Sequence, residues 1–123
     1  MAVVKKVDLK LKINLDKCIM YQIMSYCFFK DIIISNSDLK FLKELAKEDT
    51  IELTKFCLNL VDKNIFKSSQ SARNAITKAS KKDLLIKIGN NKKTISINKN
   101  MNIQNEGLVL LDYKILGNES QKA

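Results

Sequence analysis

The sequence predicts an α+β fold in a single domain, and three observations carry that expectation. Period-two alternation marks both ends of the chain. Three- and four-residue spacing of apolar side chains fills the middle. Two short β-rich runs, separated by a polar turn, follow the last helical pattern. A length of 123 residues suits one domain, and an apolar fraction of 46% is enough to build a core. Proline is absent and glycine occurs three times, so breaks between elements must be read from Asn, Ser and Asp.

In "VDLKLKINL", Val7, Leu9, Leu11 and Ile13 alternate with Asp8, Lys10, Lys12 and Asn14, which predicts a half-buried strand over residues 5–13. From Leu15 to Phe29 the period changes. Leu15, Ile19, Ile23 and Cys27 recur every fourth residue with Met20, Met24 and Phe28 alongside, which predicts a helix with a wide apolar face central to the core. "DIIIS" reads as a short extended link. "SNSDLKFLKELAKED" opens on Ser and Asn cap candidates and places Leu39, Leu42, Leu45 and Ala46 on one helical face. In "DTIELTKFCLNLVDKN", Asp49 and Glu52 have capping-box spacing. Leu53, Phe56, Cys57, Leu60 and Val61 form the buried stripe, and Asn64 is a left-handed stop. Ile65 and Phe66 anchor the turn. Ser68 or Ser69 caps a helix running from about Gln70 to Lys82. "LLIKIG", "NNKK" and "TISIN" then predict a hairpin in which Ile86 and Ile88 face Ile95 and Ile97. "LVLLDYKIL" reads as a C-terminal strand within residues 107–116.

Charge is unevenly distributed. Of the formal net charge of +9, residues 62–100 hold +8, with ten basic side chains against two acids, Asp62 and Asp83. Residues 1–61 balance to +2 and residues 101–123 to −1. A basic region cleared of acids is the electrostatic footprint of a polyanionic partner. Arg73, the only arginine, lies inside this region.

The three cysteines, Cys18, Cys27 and Cys57, form an odd set with no histidine to complete a metal site. They read as small buried apolar residues in a reducing compartment. The longest mostly apolar run, "CIMYQIMSYCFF", has 12 residues. A membrane span needs about 20, so the run reads as a buried helix of a soluble protein. With no histidine, no Gly-rich phosphate loop and two acids in the basic region, nothing suggests an enzyme, a cofactor or a metal.

Placing Ile76 at the centre of the buried face of the 70–82 helix puts Ala72 and Ala79 within about 60° of it. The opposite face collects Gln70, Ser71, Asn74, Thr77, Lys78 and Lys81, none of them acidic. Gln and Asn can pair with adenine edges, Ser and Thr can take base or phosphate, and Lys can reach guanine or phosphate. Arg73 falls at the flank, where its planar fork can grip a phosphate or a guanine edge as lysine cannot. Pairing with a nearby acid such as Asp62 is the structural alternative. Ser69 at the helix start, Lys82 and Lys87 beyond it, and Lys92 and Lys93 at the hairpin tip complete the candidate nucleic-acid-binding set.

Helix, turn, capped helix and basic hairpin, in that order, resemble the winged helix-turn-helix DNA-binding domains of small phage and plasmid regulators and replication initiators. The resemblance covers residues 36–98 and rests on Ser68, Ser71, Arg73, Ile76, Leu84, Leu85, Lys87 and Gly89. It departs at Ala79 and Asp83, where such domains often carry leucine and glycine. It implies a helix-turn-helix core over 36–83 and a wing over 84–98, with the N-terminal strand and helix (1–34) and the C-terminal strand as additions. It further implies a double-stranded DNA partner, a homodimer for which the two terminal strands are candidate interfaces unless they pair with each other, and a place in the cytoplasm of a bacterial host. A virion or assembly component of the same fold, holding packaged nucleic acid or a protein partner, is the competing expectation.

Overall fold

The computed structural model describes residues 14–104, so the two terminal strands expected at 5–13 and 107–116 lie outside the described residues. Within them the protein is α+β. Its elements run α1 (Leu15–Phe29), α2 (Asn36–Ala46), β1 (Ile51–Glu52), α3 (Leu53–Asp62), α4 (Ser69–Lys81), β2 (Leu85–Ile88) and β3 (Thr94–Ile97). A single 3₁₀ turn, Lys99–Met101, follows. The strands form an antiparallel sheet in the order β1-β3-β2.

Helix starts follow the caps that the sequence offers. Asn14 accepts from the Lys17 N–H, Ser68 accepts from Ser71, and Ser35 forms a reciprocal capping box with Asp38. The ends of α1, α3 and α4 share one device, built without glycine. Asp31, Asn64 and Asp83 take φ of 57°, 60° and 59°, just past the ends of α1, α3 and α4. After each comes an apolar residue whose N–H returns to a carbonyl of the last turn: Ile32 to Cys27, Ile65 to Leu60 and Leu84 to Ala79. These are Schellman closures, and Asp and Asn are the non-glycine residues that best tolerate the left-handed conformation. Asp83, in the left-handed conformation, stands two residues past Lys81, the last residue of α4.

One core joins the elements. Ile19 and Ile23 of α1, Phe41, Leu42 and Leu45 of α2, Phe56 and Leu60 of α3, Ile76 of α4, and Leu84, Leu85 and Ile95 of the hairpin region are essentially inaccessible. Ala72 and Ala79 are buried beside Ile76, so α4 seats on its small residues as expected.

Four expectations need correction. Asp49 does not cap α3. Ile51 and Glu52 are drawn into pairing with Ile95 and Thr94, so the helix begins three residues later than a box at Asp49 would start it. Its cap position, Glu52, makes no side-chain capping bond. The hairpin register differs by one residue. Leu85 faces Ile97 and Lys87 faces Ile95, leaving Ile86 and Ile88 partly exposed on the other face. A one-residue slip exchanges the two faces of a strand. The wide apolar face of α1 is buried only along Ile19, Ile23 and Cys27, while Leu15, Met24 and Phe28 are exposed. Packing on α2 covers one stripe of this helix, not its whole girth. Finally, Cys27 and Cys57 are buried free thiols, but Cys18 is only half-buried. Burial pushes the Cys27 and Cys57 thiols up, away from the reactive thiolate.

Candidate nucleic-acid interface

The candidate residues distribute around α4. Its exposed side carries Gln70, Ser71, Asn74, Thr77, Lys78 and Lys81. Gln70 Nε2 donates to Asn74 Oδ1 at 3.0 Å, one helical turn along. The two expected base readers therefore hold each other in orientation and leave their remaining amide groups facing outward. Ser71 forms a hydroxyl–hydroxyl bond of 3.0 Å with the capping Ser68. Ser69 is half-buried in the first turn.

On one flank of this face, a groove separates α4 from the link between α1 and α2. Ser71, Asn74 and Lys78 line it from α4, and Ile33, Ile34 and Asp38 from across it. Lys82 closes one side, with its ammonium donating to the Ile33 carbonyl at 2.7 Å. Its first use is therefore structural: it ties the end of α4 to the link that precedes α2.

On the other flank stands Arg73, half-buried. Its Nη2 donates to Thr54 Oγ1 of α3 at 2.8 Å. The partner is a neutral hydroxyl, not the carboxylate of Asp62. Thr54 was not legible as a site residue, because the bond depends on how α3 and α4 pack.

The hairpin places its lysines differently from one another. Lys92 and Lys93 are exposed in the five-residue turn, where Gly89 has φ of 95° and Lys92 φ of 55°. The Lys92 N–H returns to Gly89 O, and the Lys93 N–H bonds the Asn91 side chain. The Lys93 carbonyl accepts from the Leu53 N–H at 2.7 Å, which pins this turn to the start of α3. Lys87 is half-buried on the core-facing side of β2, beside Leu85, and so is not part of an open basic edge. Asn98, which the sequence did not single out, secures the base. Its side chain donates to Asp83 O at 2.6 Å and its N–H to Leu84 O.

Electrostatically, the ion pairs lie elsewhere. Lys43, Lys47 and Lys63 converge on Glu44, and Lys43 and Lys47 also reach Asp16. Among the described residues, no carboxylate is within ion-pair distance of Arg73, Lys78, Lys81, Lys87, Lys92 or Lys93. No group of acidic residues and cysteines among the described residues is arranged to hold a metal ion. Nor is any helix among them long and apolar enough to cross a membrane. No family model, curated protein or solved structure matches the chain.

Proposed function

We propose that this chain is a duplex-DNA-binding protein of winged helix-turn-helix type, acting as a sequence-specific regulator or replication factor of a phage or mobile element. In this reading α2, α3 and α4 are the three helices, α4 is the recognition helix, and the β2–β3 hairpin is the wing. The helix order and the β1-β3-β2 sheet support it. The observation that carries it is the separation of charge. Lys43, Lys47 and Lys63 are paired with Glu44 and Asp16 where α2 meets α1 and α3, whereas Lys78 and Lys81 on the open face of α4 and Lys92 and Lys93 at the hairpin tip have no carboxylate partner among the described residues. A surface that keeps its positive charge beside amide and hydroxyl side chains suits phosphate contact together with base-edge reading.

Site selection from a pool of random duplexes, followed by competition at physiological salt, tests the proposal. A regulator or replication factor enriches one sequence and prefers it over random duplex by about 10³ or more. Equal competition by random duplex supports the packaging reading instead. Absence of duplex binding at low salt overturns both and points to a protein partner.

A further inference from the structure

Arg73 is held by a neutral acceptor. A carboxylate would orient the guanidinium equally well but would also neutralise it and compete with any other anion. The Thr54 hydroxyl orients it without changing its charge. The bond uses one N–H of the fork, and the hydroxyl proton of Thr54 remains available to donate. Thr54 is exposed and Arg73 half-buried, so the pair sits at the surface seam between α3 and α4. This is the flank of the α4 face opposite the groove.

We infer that Thr54 is a positioning residue for nucleic-acid binding: it fixes the Arg73 fork, still fully charged, to receive a backbone phosphate at the α3–α4 seam. The inference rests on the duplex-binding reading above and adds to it a residue on a second helix. A freely rotating arginine loses side-chain entropy when it binds. A fork already held in place loses less, and this is the advantage of preorganisation. It also gives a reason for arginine at this one position in a chain whose other cations are lysines, since an ammonium has no planar fork to align.

The test is a double-mutant cycle on duplex affinity, with melting temperature measured in parallel. Thr54→Val removes the hydroxyl at nearly constant shape and weakens duplex binding about tenfold, the scale of one hydrogen bond to a charged group. Arg73→Ala weakens it at least as much. The double variant binds no worse than Arg73→Ala alone, because the two residues act as one unit. Thr54→Ser, which restores the hydroxyl, binds like wild type. Losses that simply add, or a Thr54→Val protein that binds like wild type, overturn the inference and leave duplex binding standing. Wild type that binds no duplex overturns the underlying reading itself. Should Thr54→Val fail to fold, the wild-type guanidinium gives a second measurement. Arg73 is the sole arginine, so its side-chain nitrogen resonance needs no assignment. A shift of that resonance on addition of duplex supports the inference, and an unmoved resonance in a saturated complex overturns it.

Discussion

Lysines in two parts of this molecule are used differently. Where α2 meets α1 and α3, Lys43, Lys47 and Lys63 gather around Glu44 and Asp16. On α4 and the hairpin tip, Lys78, Lys81, Lys92 and Lys93 have no acid within reach among the described residues. The first arrangement links elements to each other across sequence separations of 19 and 27 residues. The second links nothing, and its mutual repulsion is a cost to the folded state. Charge serves folding in the first region. In the second it has no acidic partner among the described residues, and the shared core must hold the uncompensated cations together.

Breaking that core is the largest expected effect. Ile76 lies on the buried face of α4 and is 1% exposed. Ile76→Ala should destabilise the protein by about 2–5 kcal/mol, a large part of the total stability of a small domain. Urea unfolding followed by circular dichroism measures it. A loss under about 1 kcal/mol would mean that α4 is not seated on the core as described.

Next comes a substitution on the opposite face of the same helix. Asn74→Ala should leave urea unfolding nearly unchanged while costing about 1–3 kcal/mol on the selected duplex, with random-duplex binding little affected. It also frees Gln70 from its 3.0 Å bond, so Gln70→Ala in the same background should cost less than it does alone. Uniform weakening of all duplexes would assign Asn74 to the phosphates instead.

The unpaired lysines give a smaller and sequence-independent effect. Lys81→Ala, Lys92→Ala and Lys93→Ala should each weaken specific and random duplex alike, and each should reduce the slope of log affinity against log salt by about one unit. Lys82→Ala should behave differently. Its ammonium already bonds the Ile33 carbonyl, so it should lower stability more than salt slope. An unchanged slope in the first three would place the hairpin tip and the end of α4 outside any phosphate contact.

These expectations are uneven in origin, and the unevenness has physical causes. The start of α4 was legible because it is local, a serine cap at Ser68 or Ser69; its end, read near Lys82, is set by the left-handed Asp83, which the sequence did not single out as a stop. The hairpin was legible as a hairpin but not in register. "DLLIKI" has two adjacent leucines, so either alternation can supply an apolar face. Its choice is made by the Asp83 turn and by Asn98, whose N–H pairs with Leu84. Neither can be weighed from the strand alone. The Asp49–Glu52 spacing matched a capping box, yet a tertiary contact, the pairing of Ile51 with Ile95, won. Of the candidate site, the α4 face followed from helical geometry. Arg73 was placed on its flank, but its partner Thr54 is 19 residues away and depends on helix packing.

The smallest effect tests whether the two regions are independent. Burial opposes ionisation of Glu44, but hydrogen bonds from Lys63 and Lys43 outweigh it and hold its pKa below the ordinary 4.5. Asp16 is held below 3.8, chiefly by its hydrogen bond from Lys47. A carboxyl with a lowered folded-state pKa binds fewer protons folded than unfolded. Its contribution is therefore fully present above the ordinary value and is lost as pH falls through the lower, folded one. Lys43 runs the other way. Burial works against its charge, but Glu44 and Asp16 outweigh that and raise its pKa above 10.5, so its contribution fades only as pH climbs past that value. Stability from the cluster is therefore flat between these limits and falls on the acid side. Glu44→Gln should lower stability at neutral pH by only about 0.2–1 kcal/mol, since Lys63 and Lys47 are substantially solvated and the pairs are screened. It should also make the decline in melting temperature below pH 4.5 shallower than in wild type. Duplex affinity and its salt slope should not change. A Glu44→Gln protein that binds duplex differently, with its fold intact, would show that the paired lysines also meet the partner, and the division between the two regions would have to be redrawn at α3.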